Sequence, residues 1–344
     1  IGQFPIPSPF ANSVQVMQMC AAFAANGHDV TLLVPWMGGG DPPANKPICA
    51  RYGVPANFQI EQIPSAYRRW SPHGYALRAA ARARKIGADV VYSRQVTACA
   101  VAAACGVKTV YEAHQPLVGR VATWAFRILR RSRSFSHAVV ISGGLRDYFI
   151  RIYQVPECRL LVAHDGADSS VYRKSDAGAE AEQPTVGYTG HLYPGKGMET
   201  IAALAVRMPD VYFEVIGGTA GDIDRWRAAT ANCANLMFHG HLDHHSLPDH
   251  LARFWVVVAP YRKAVIVSGG HDISAWMSPL KLFEYMGAAK AIVCSDLPVL
   301  REVLTDGRNA LLVDPEDISS WERAIRRLLN DKSMRCQLGS EARE

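Results

Sequence analysis

The sequence lacks the long apolar run that a membrane-spanning helix needs, because none of its hydrophobic stretches approaches about 18 residues. It also lacks a CxxC pair and the Cys/His spacing of a metal site, although it contains eight cysteines. Scattered cysteines favour reduced thiols in a cytoplasmic protein. We therefore expect no disulfide framework and no bound metal.

Two phosphate-binding motifs are missing as well. The sequence has neither GxxxxGK[ST] nor a clean GxGxxG, so a nucleoside triphosphatase or a dinucleotide-dependent dehydrogenase fits poorly. No motif that reads nucleic acid accompanies its basic residues.

The chain has 344 residues, of which 49% are hydrophobic and 20% are charged. These values predict a soluble globular protein with two domains of ordinary size. The chain begins with Ile1 and ends in a helix-like stretch, so we expect both true ends to be missing.

The charge is distributed unevenly. Residues 1–150 carry 16 Lys and Arg against 6 Asp and Glu, whereas the remainder carries 21 against 25. Much of the basic charge lies in residues 67–85 and 124–133, which both predict helices with a cationic face. Such a face is either solvated or contacts an anion, such as a lipid headgroup or a phosphorylated acceptor.

Short β-branched runs alternate with helical segments rich in Ala, Leu and Arg, which predicts parallel sheets covered on both faces. Residues 169–184 lose this periodicity and predict a linker between domains 1–168 and 185–344. The expected fold class is α/β, with two Rossmann-like domains and a substrate cleft between them. The predicted strands are residues 28–35, 88–93, 108–114, 137–142 and 159–166, then 185–190, 211–218, 235–240, 255–261, 290–295 and 309–314.

The segment GYTGHLYPGKGMETI, residues 187–201, predicts a strand, a glycine-rich loop and a helix start. The glycines allow the backbone to approach an anion, and Lys196 adds a positive charge, which suits a diphosphate. A plain glycine-rich turn explains the same residues.

The segment SPLKLFEYM, residues 278–286, predicts a helix with Ser278 as its N-cap and Pro279 as its first residue. The N–H groups of Leu280 and Lys281 then face an anion, and Glu284 lies where it can accept hydrogen bonds from vicinal hydroxyls, as on a ribose. Alternatively, Glu284 is a surface residue paired with Lys281.

Taken in order, several segments of the chain resemble a retaining glycosyltransferase of family 4, which has the two-domain GT-B architecture. The segments are GHDVTLLVP (27–35), YEAH (111–114), HAVVISGGLRDYF (137–149), HDGADSSVY (164–172), GHLYPGKGMETI (190–201), FHGHLDHHSLPDHLARFWVVVAP (238–260), SPLKLFEYM (278–286) and SDLPVLREVL (295–304).

This resemblance implies roles for individual residues. Lys196 matches the pyrophosphate-binding lysine, Glu284 the ribose-binding glutamate, and His114 a histidine near the transferred sugar. By the same resemblance, the donor is also bound by residues on several loops and the proline-rich segment 3–13 faces donor and acceptor. The donor-binding set is Gly190, His191, Lys196, Gly197, His239, Gly240, Pro260, Tyr261, Asp272, Ser278, Pro279, Leu280, Lys281 and Glu284, and the acceptor set is Pro9, Asn12 and Ser13.

Two positions depart from the family pattern. His191 stands where the family usually has an arginine beside the lysine, and Trp276 stands where the first glutamate of an E-x7-E pair is expected. Asp272 or backbone N–H groups near Ser278 are possible substitutes for that glutamate, while Asp272 is equally suited to be an ordinary loop residue.

The resemblance implies a metal-independent, retaining transfer of a hexosyl group from a UDP- or GDP-sugar to a glycan or lipid-linked acceptor. No cofactor is expected besides the nucleotide sugar, and no nucleic acid partner. We expect a cytoplasmic protein, with peripheral docking on the inner face of an anionic membrane as one interpretation of its basic half. The alternatives are a GT-B sugar-nucleotide epimerase and a non-catalytic nucleotide-sugar-binding protein.

Overall fold

The structure of the protein is a computed structural model that describes residues 1–2, 4–8, 11–38, 42–64, 72–174, 180–242, 246–266 and 270–344. The chain folds as two units. Unit 1 comprises Ile1–Val140 and Leu145–Ala163, and unit 2 comprises Ile141–Gly144 and His164–Glu344. The linker over residues 169–184 stays a prediction, because residues 175–179 lie outside the described part.

Unit 1 contains parallel strands and the helices that connect them. Strand β1 pairs with β2, and a second group of strands has the order β3-β4-β5-β6. The first residues of the chain connect these groups, because Gly2 N–H donates to Leu33 O of β1 and Ile1 donates to Tyr92 O of β3. The strands are β1 (Thr31–Trp36), β2 (Gln59–Pro64), β3 (Val90–Ser93), β4 (Lys108–Ala113), β5 (Phe135–Val140) and β6 (Leu160–Val162). The helices are α1 (Ala11–Ala25), α2 (Asn45–Tyr52), α3 (Pro72–Lys85), α4 (Val96–Ala104), α5 (Arg120–Leu129) and α6 (Gly143–Tyr153).

Unit 2 is built on a six-stranded parallel sheet with the order β12-β11-β10-β7-β8-β9. Its strands are β7 (Thr185–Thr189), β8 (Tyr212–Ile216), β9 (Leu236–Gly240), β10 (Val256–Ala259), β11 (Ala291–Ser295) and β12 (Leu311–Val313). Its helices are α7 (Met198–Arg207), α8 (Ala220–Ala229), α9 (Leu247–Arg253), α10 (Leu280–Gly287), α11 (Ile318–Asn330) and α12 (Lys332–Arg343).

The sheet of unit 2 is apolar on both faces, as parallel sheets between helices are. Along β10, Val256 and Val258 contribute to one core with Trp321 of α11, whereas Val257 and Ala259 contribute to a second core with Leu251 of α9. This period of two follows from strand geometry. Each face thereby buries side chains that stabilise the sheet by roughly 1.5–3 kcal/mol each.

The strands predicted for the second half are all present, and the alternation of strands and helices is confirmed. In the first half, β2 was not predicted. Its sequence QIEQIP buries only Ile63 fully, so the strand carries no apolar run that would reveal it.

Candidate active site

The candidate site of unit 2 lies where its central strands end. Strands β7 and β10 are parallel neighbours, so their carboxyl ends meet at the same edge of the sheet. Gly190 follows β7, and Pro260 and Tyr261 follow β10. The predicted donor-binding residues of two distant segments are therefore brought together.

The glycine loop between β7 and α7 fits closely against the segment after β10. Gly195 and Gly197 both have a φ of 89°. A Cβ on Gly197 would collide with the carbonyl oxygen of Pro260, and a Cβ on Gly195 with that of Ala264. Glycine is required at both positions by backbone conformation and by space. The loop places Lys196 two residues before the start of α7, with Gly197 as the N-cap between them.

Two lysine ammonium groups converge on one tyrosine ring. Lys196 Nζ lies 5.0 Å from the ring centroid of Tyr261, and Lys281 Nζ of α10 lies 5.2 Å from the same centroid. Lys281 Nζ is also 3.6 Å from the ring centroid of Tyr188. The aromatic faces attract these cations, each by roughly 0.5–2 kcal/mol. Sequence reasoning missed Tyr188, whose part in the site comes only from the fold.

Lys281 is buried without a hydrogen-bond partner. Its side chain is 8% exposed, and in the described part of the chain no group accepts a hydrogen bond from Nζ. Burial, followed by repulsion from Lys196, holds the pKa of Lys281 well below its ordinary value. Burial also lowers the pKa of Lys196 to about 8. An anion placed here would favour the charged form of both lysines.

Glu284 lies three residues after Lys281 on α10 and is half-buried. Burial raises the pKa of its carboxyl group to about 7, and the charge of Lys281 opposes that rise. The two residues interact electrostatically, but Lys281 Nζ lies over the ring of Tyr188 and makes no hydrogen bond to Glu284. The alternative of an exposed Lys281–Glu284 surface pair does not describe this geometry.

The predicted start of the 278–286 helix was wrong by one residue. Helix α10 begins at Leu280, and Pro279 is its N-cap, with the extended ψ of 113°. Ser278 does not cap the helix, because its hydroxyl oxygen accepts the backbone N–H of Asp165 at 2.9 Å. The N–H groups of the first turn still begin at Leu280 and Lys281 and point out of the helix start.

His191 lies on the same edge of unit 2. Its ring stacks on Tyr193 at a centroid distance of 5.5 Å, and Lys196 Nζ lies 5.1 Å from the Tyr193 ring. Burial lowers the pKa of His191, and the charges of Lys196 and Lys281 lower it further. The position that carries arginine in the family thus favours a neutral imidazole until an anion binds.

The remaining donor-binding predictions have structural contacts. The N–H of Gly190 donates to Ile216 O, and the carbonyl of Gly240 accepts the N–H of Gly217. The side chain of His239 donates to Glu214 at 2.8 Å. Asp272 Oδ1 accepts the N–H groups of Val265 and Ser274, at 3.0 and 2.9 Å, so it holds its own loop together. Contact of these residues with a donor stays a prediction.

Trp276 contributes its backbone to unit 2, since its carbonyl oxygen accepts the hydroxyl of Ser142 at 3.0 Å. Nearby, Glu302 accepts the N–H groups of Gly143 and Gly144 at the first turn of α6, at 2.6 and 3.0 Å. Sequence reasoning did not single out Glu302, because its partners lie more than 150 residues earlier.

His114 of unit 1 follows the end of β4 and belongs to a hydrogen-bonded network. Its Nε2 donates to Glu112 Oε1 at 2.7 Å, and Gln15 Nε2 donates to the same oxygen at 2.9 Å. Arg94 in turn donates to Gln15 at 2.7 Å. Burial raises the pKa of Glu112, but these hydrogen bonds outweigh it, and the pKa lies below its ordinary value. Glu112 is therefore ionised, and its carboxylate orients the ring of His114. The sequence did not reveal this role.

Two of the predicted acceptor residues, Asn12 and Ser13, lie in the first turn of α1 instead of in a loop, because the helix begins at Ala11. Ser13 is buried and donates to Ser8 O at 3.0 Å, while Tyr52 donates to Ser13 Oγ at 3.1 Å. The side-chain oxygen of Asn12 is buried and has no hydrogen-bond partner in the described part of the chain. Pro9 lies outside the described residues.

No helix in the described ranges is both long and apolar enough to cross a membrane.

Two family models match the chain, one mostly on each unit. The model described as Glycosyltransferase Family 4 matches residues 13–171, and the model described as Glycosyl transferases group 1 matches residues 183–331.

Curated relatives match part of the chain. A phosphatidyl-myo-inositol mannosyltransferase of Mycolicibacterium smegmatis is 31% identical over 156 residues, which are 44% of this chain and 37% of that protein. An alpha-maltose-1-phosphate synthase of the same organism is 26% identical over 235 residues, which are 60% of this chain and 57% of that protein. The chain thus spans about half the length of these relatives or less.

Solved structures match nearly the whole chain. Anabaena Alr3699/HepE, crystallised in complex with UDP and glucose, superposes with a TM-score of 0.69 at 18% identity, covering 99% of this chain and 92% of that one. The likeness shows the fold, which is GT-B. The two family models, which match different parts of the chain, show that it belongs to the family 4 type of glycosyltransferases.

Proposed function

We propose that the protein is a retaining glycosyltransferase that moves a hexosyl group from a UDP- or GDP-sugar to a glycan or lipid-linked acceptor without a metal ion. The observation that carries the proposal is the convergence of Lys196 and Lys281 on Tyr261, at the carboxyl edge of the unit 2 sheet. A nucleotide diphosphate is the ligand whose charge suits two neighbouring ammonium groups.

Glycosyl transfer breaks the bond between the anomeric carbon and the diphosphate, so negative charge collects on the leaving group. Two ammonium groups and the N–H groups that begin α10 are donors fixed in advance for that charge. Such preorganised donors lower the activation free energy by several kcal/mol, and removing one raises it by about 2.7–4 kcal/mol. In this mechanism Lys196 and Lys281 stabilise the leaving diphosphate.

Glu284 is suited to the ribose of the donor. Its carboxylate accepts hydrogen bonds from two vicinal hydroxyls, while the start of the same helix holds the phosphates. Retention requires the acceptor to approach from the side of the leaving group, and the resemblance to family 4 supports this stereochemistry. His114, oriented by Glu112, takes the part of a sugar-contacting or proton-handling group.

The first experiment is a thermal-shift screen with UDP, GDP, ADP and CDP sugars, because a ligand that prefers the folded state raises the melting temperature. The selected donor is then incubated with a pool of glycan and lipid-linked acceptors. We expect release of the free nucleoside diphosphate that depends on acceptor, and a product with the donor's anomeric configuration.

Three outcomes would contradict the proposal. Isomerised donor in the absence of acceptor would favour an epimerase. Donor binding without release of nucleoside diphosphate would favour a non-catalytic binding protein. Activity that is lost on treatment with a chelator and restored by a divalent cation, with no change in the melting temperature, would contradict metal independence.

We further propose that unit 1 docks on an anionic membrane through α5. One stripe of this helix is exposed and combines apolar and basic side chains, with Trp124 64% exposed. Opposite it, Phe126 and Leu129 are buried in unit 1. The exposed stripe consists of Arg120, Val121, Trp124, Arg127 and Ile128, and the exposed Arg131 follows two residues after the end of the helix. Such a face suits apolar insertion together with attraction to anionic headgroups.

Vesicle co-sedimentation tests this docking with phosphatidylglycerol and phosphatidylcholine vesicles. We expect binding to the anionic vesicles only, weakening steeply with salt, and a loss in the double variant Arg127→Gln/Arg131→Gln. Arg51→Gln, an exposed arginine of α2, is the matched control. Equal binding to both vesicle types, or no binding, would remove the membrane from the proposal.

A further inference from the structure

Three metal-ligating side chains meet on one face of the unit 2 sheet, at its β9 edge. Glu214 lies between Phe213 and Val215 of β8, which both belong to the core beneath α11, so Glu214 faces the other side. His239 likewise follows the core residue Phe238 on β9. That other side is covered by α9, which carries His250.

The register of the two strands brings His239 to this position. Val215 pairs with Phe238 and Ile216 pairs with Gly240, so His239 is the extra residue of a β-bulge. Bulges re-aim side chains and occur next to functional sites. Here the bulge sets the imidazole beside the carboxylate of Glu214.

The three groups are close enough to share one ion. His239 Nε2 and Glu214 Oε2 are 2.8 Å apart, and the rings of His239 and His250 have a centroid distance of 5.3 Å. One ligand atom from each residue lies within 4.8 Å of the other two. Among the described residues, this is the one group of three or more His, Cys, Asp or Glu side chains that meets this condition.

His250 has a nitrogen without a protein partner. Its Nδ1 is buried, and in the described ranges no group forms a hydrogen bond with it. A neutral imidazole is the form that binds a metal ion.

A groove of about 460 Å³ reaches one member of the group. Its lining includes Glu214 and two further carboxylates, Glu180 and Glu182, together with Arg253. Glu180 is ion-paired with Arg335 at 3.1 Å.

We propose that Glu214, His239 and His250 form a binding site for a divalent transition-metal ion, with Zn²⁺ as the best fit. Two imidazoles and one carboxylate are a ligand set of zinc sites, with bonds of about 2.0–2.2 Å and a fourth position for water. The ion replaces the proton that His239 Nε2 shares with Glu214, so binding releases or relocates that proton. It then fastens the edge strand β9 to α9.

The site shares His239 with the predicted donor-binding set but uses none of the lysines or aromatic rings proposed to hold the diphosphate. Zinc binding is measured without a donor, so the two proposals fail separately. The ligands are separated by 25 and 11 residues in the sequence, which matches no local metal motif. This is why the sequence predicts no metal.

The test is a zinc titration of the chelator-treated full chain, followed by calorimetry, in a Cys158→Ser/Cys336→Ser background that removes the two exposed thiols. We expect one equivalent to bind saturably and to raise the melting temperature. In His239→Gln and His250→Gln, affinity falls by at least about tenfold. His137→Gln changes an exposed histidine of β5 and leaves zinc binding intact.

A variant that fails to fold would be uninformative by itself, so the same background protein is also titrated with Co²⁺. We expect visible absorption without a thiolate-to-metal band, because nitrogen and oxygen supply the ligands. Absence of saturable binding in this protein would overturn the proposal. Unchanged affinity in both histidine variants would overturn it as well.

Discussion

The two edges of the unit 2 sheet use a lysine in opposite ways, one of them half-buried and the other buried. At the amino edge, Lys290 precedes β11 and donates to the carbonyl oxygens of Ala252 and Phe254, at 2.7 and 2.8 Å. At the carboxyl edge, Lys281 Nζ lies over an aromatic ring and donates to no group in the described part of the chain. Burial lowers the pKa of both lysines. At the amino edge the lysine therefore stabilises the fold, whereas at the carboxyl edge the lysine lies where the proposed diphosphate would bind.

Removing Lys196, the other cation of the carboxyl edge, tests most directly whether that edge binds a diphosphate. We expect Lys196→Ala to lower kcat/KM for the donor by about 100- to 1,000-fold, because the leaving diphosphate loses a preorganised donor. Steady-state release of nucleoside diphosphate measures it. Lys332→Ala, at the exposed start of α12, is the control and should keep full activity. A variant of Lys196 with unchanged kcat/KM would show that the edge is not a diphosphate site.

His114 of unit 1 resembles Lys290 in being paired, but with a carboxylate. We expect His114→Ala to lower kcat by about tenfold or more and to leave nucleotide affinity unchanged, since it acts on the sugar in the proposed mechanism. Single-turnover kinetics and calorimetry separate the two quantities. His137→Ala serves as control. A wild-type rate would remove His114 from the site.

The carboxyl edge should also give donor binding a bell-shaped pH dependence. Lys196, with a pKa of about 8, binds a diphosphate as the ammonium, so affinity falls as the pH rises through 8. Glu284, with a pKa of about 7, accepts hydroxyl groups best as the carboxylate, so affinity falls as the pH drops through 7. We expect a loss of about sixfold at pH 6 and at pH 9 relative to pH 7.5.

Calorimetry with a nucleotide sugar measures this profile, because its doubly esterified diphosphate keeps one charge state over the range. Glu284→Gln should remove the acid limb and keep the alkaline limb. An affinity that is flat from pH 6 to pH 9 would contradict the assignment of both groups.

The smallest expected effect is on stability, and here the two lysines should respond in opposite directions. Since burial lowers the pKa of Lys281, the unfolded chain binds that proton more strongly, and the residue destabilises the folded state below a pH of about 10.5. We expect Lys281→Met to raise the melting temperature of the ligand-free protein by about 2–4 °C, a gain of about 1 kcal/mol.

Burial lowers the pKa of Lys290 as well, so removing its charge relieves some destabilisation at pH 7. Lys290→Met also leaves two carbonyl oxygens without their donor, and we expect this larger loss to lower the melting temperature by about 2–4 °C. Calorimetric melts at pH 7 compare the two variants. If both variants shift in the same direction, the contrast between the edges does not hold.

Much of the fold could be predicted from sequence because it depends on local patterns. Every strand of unit 2 carries a short apolar run, as in WVVVAP, and turns follow each run. Strand β2 could not be predicted in this way, because its exposed Gln59 and half-exposed Glu61 interrupt the run.

The candidate site could be predicted from the sequence where glycines indicate the backbone conformation. It could not be predicted where side chains that are distant in the sequence come into contact. Gly195 and Gly197, which flank Lys196, predict that the backbone closely approaches another group. The direction of Lys281 onto Tyr188, by contrast, depends on packing between residues 93 positions apart. Ser278 is a residue type that favours N-cap positions, yet its hydroxyl oxygen accepts the N–H of Asp165. No local sequence rule predicts that hydrogen bond.

The fit of Gly195 and Gly197 against the segment after β10 has a consequence for affinity. A loop wedged between two carbonyl groups has few alternative conformations, so little ordering entropy remains to be lost when a ligand arrives. More of the attraction between Lys196 and its anion then survives as net binding free energy.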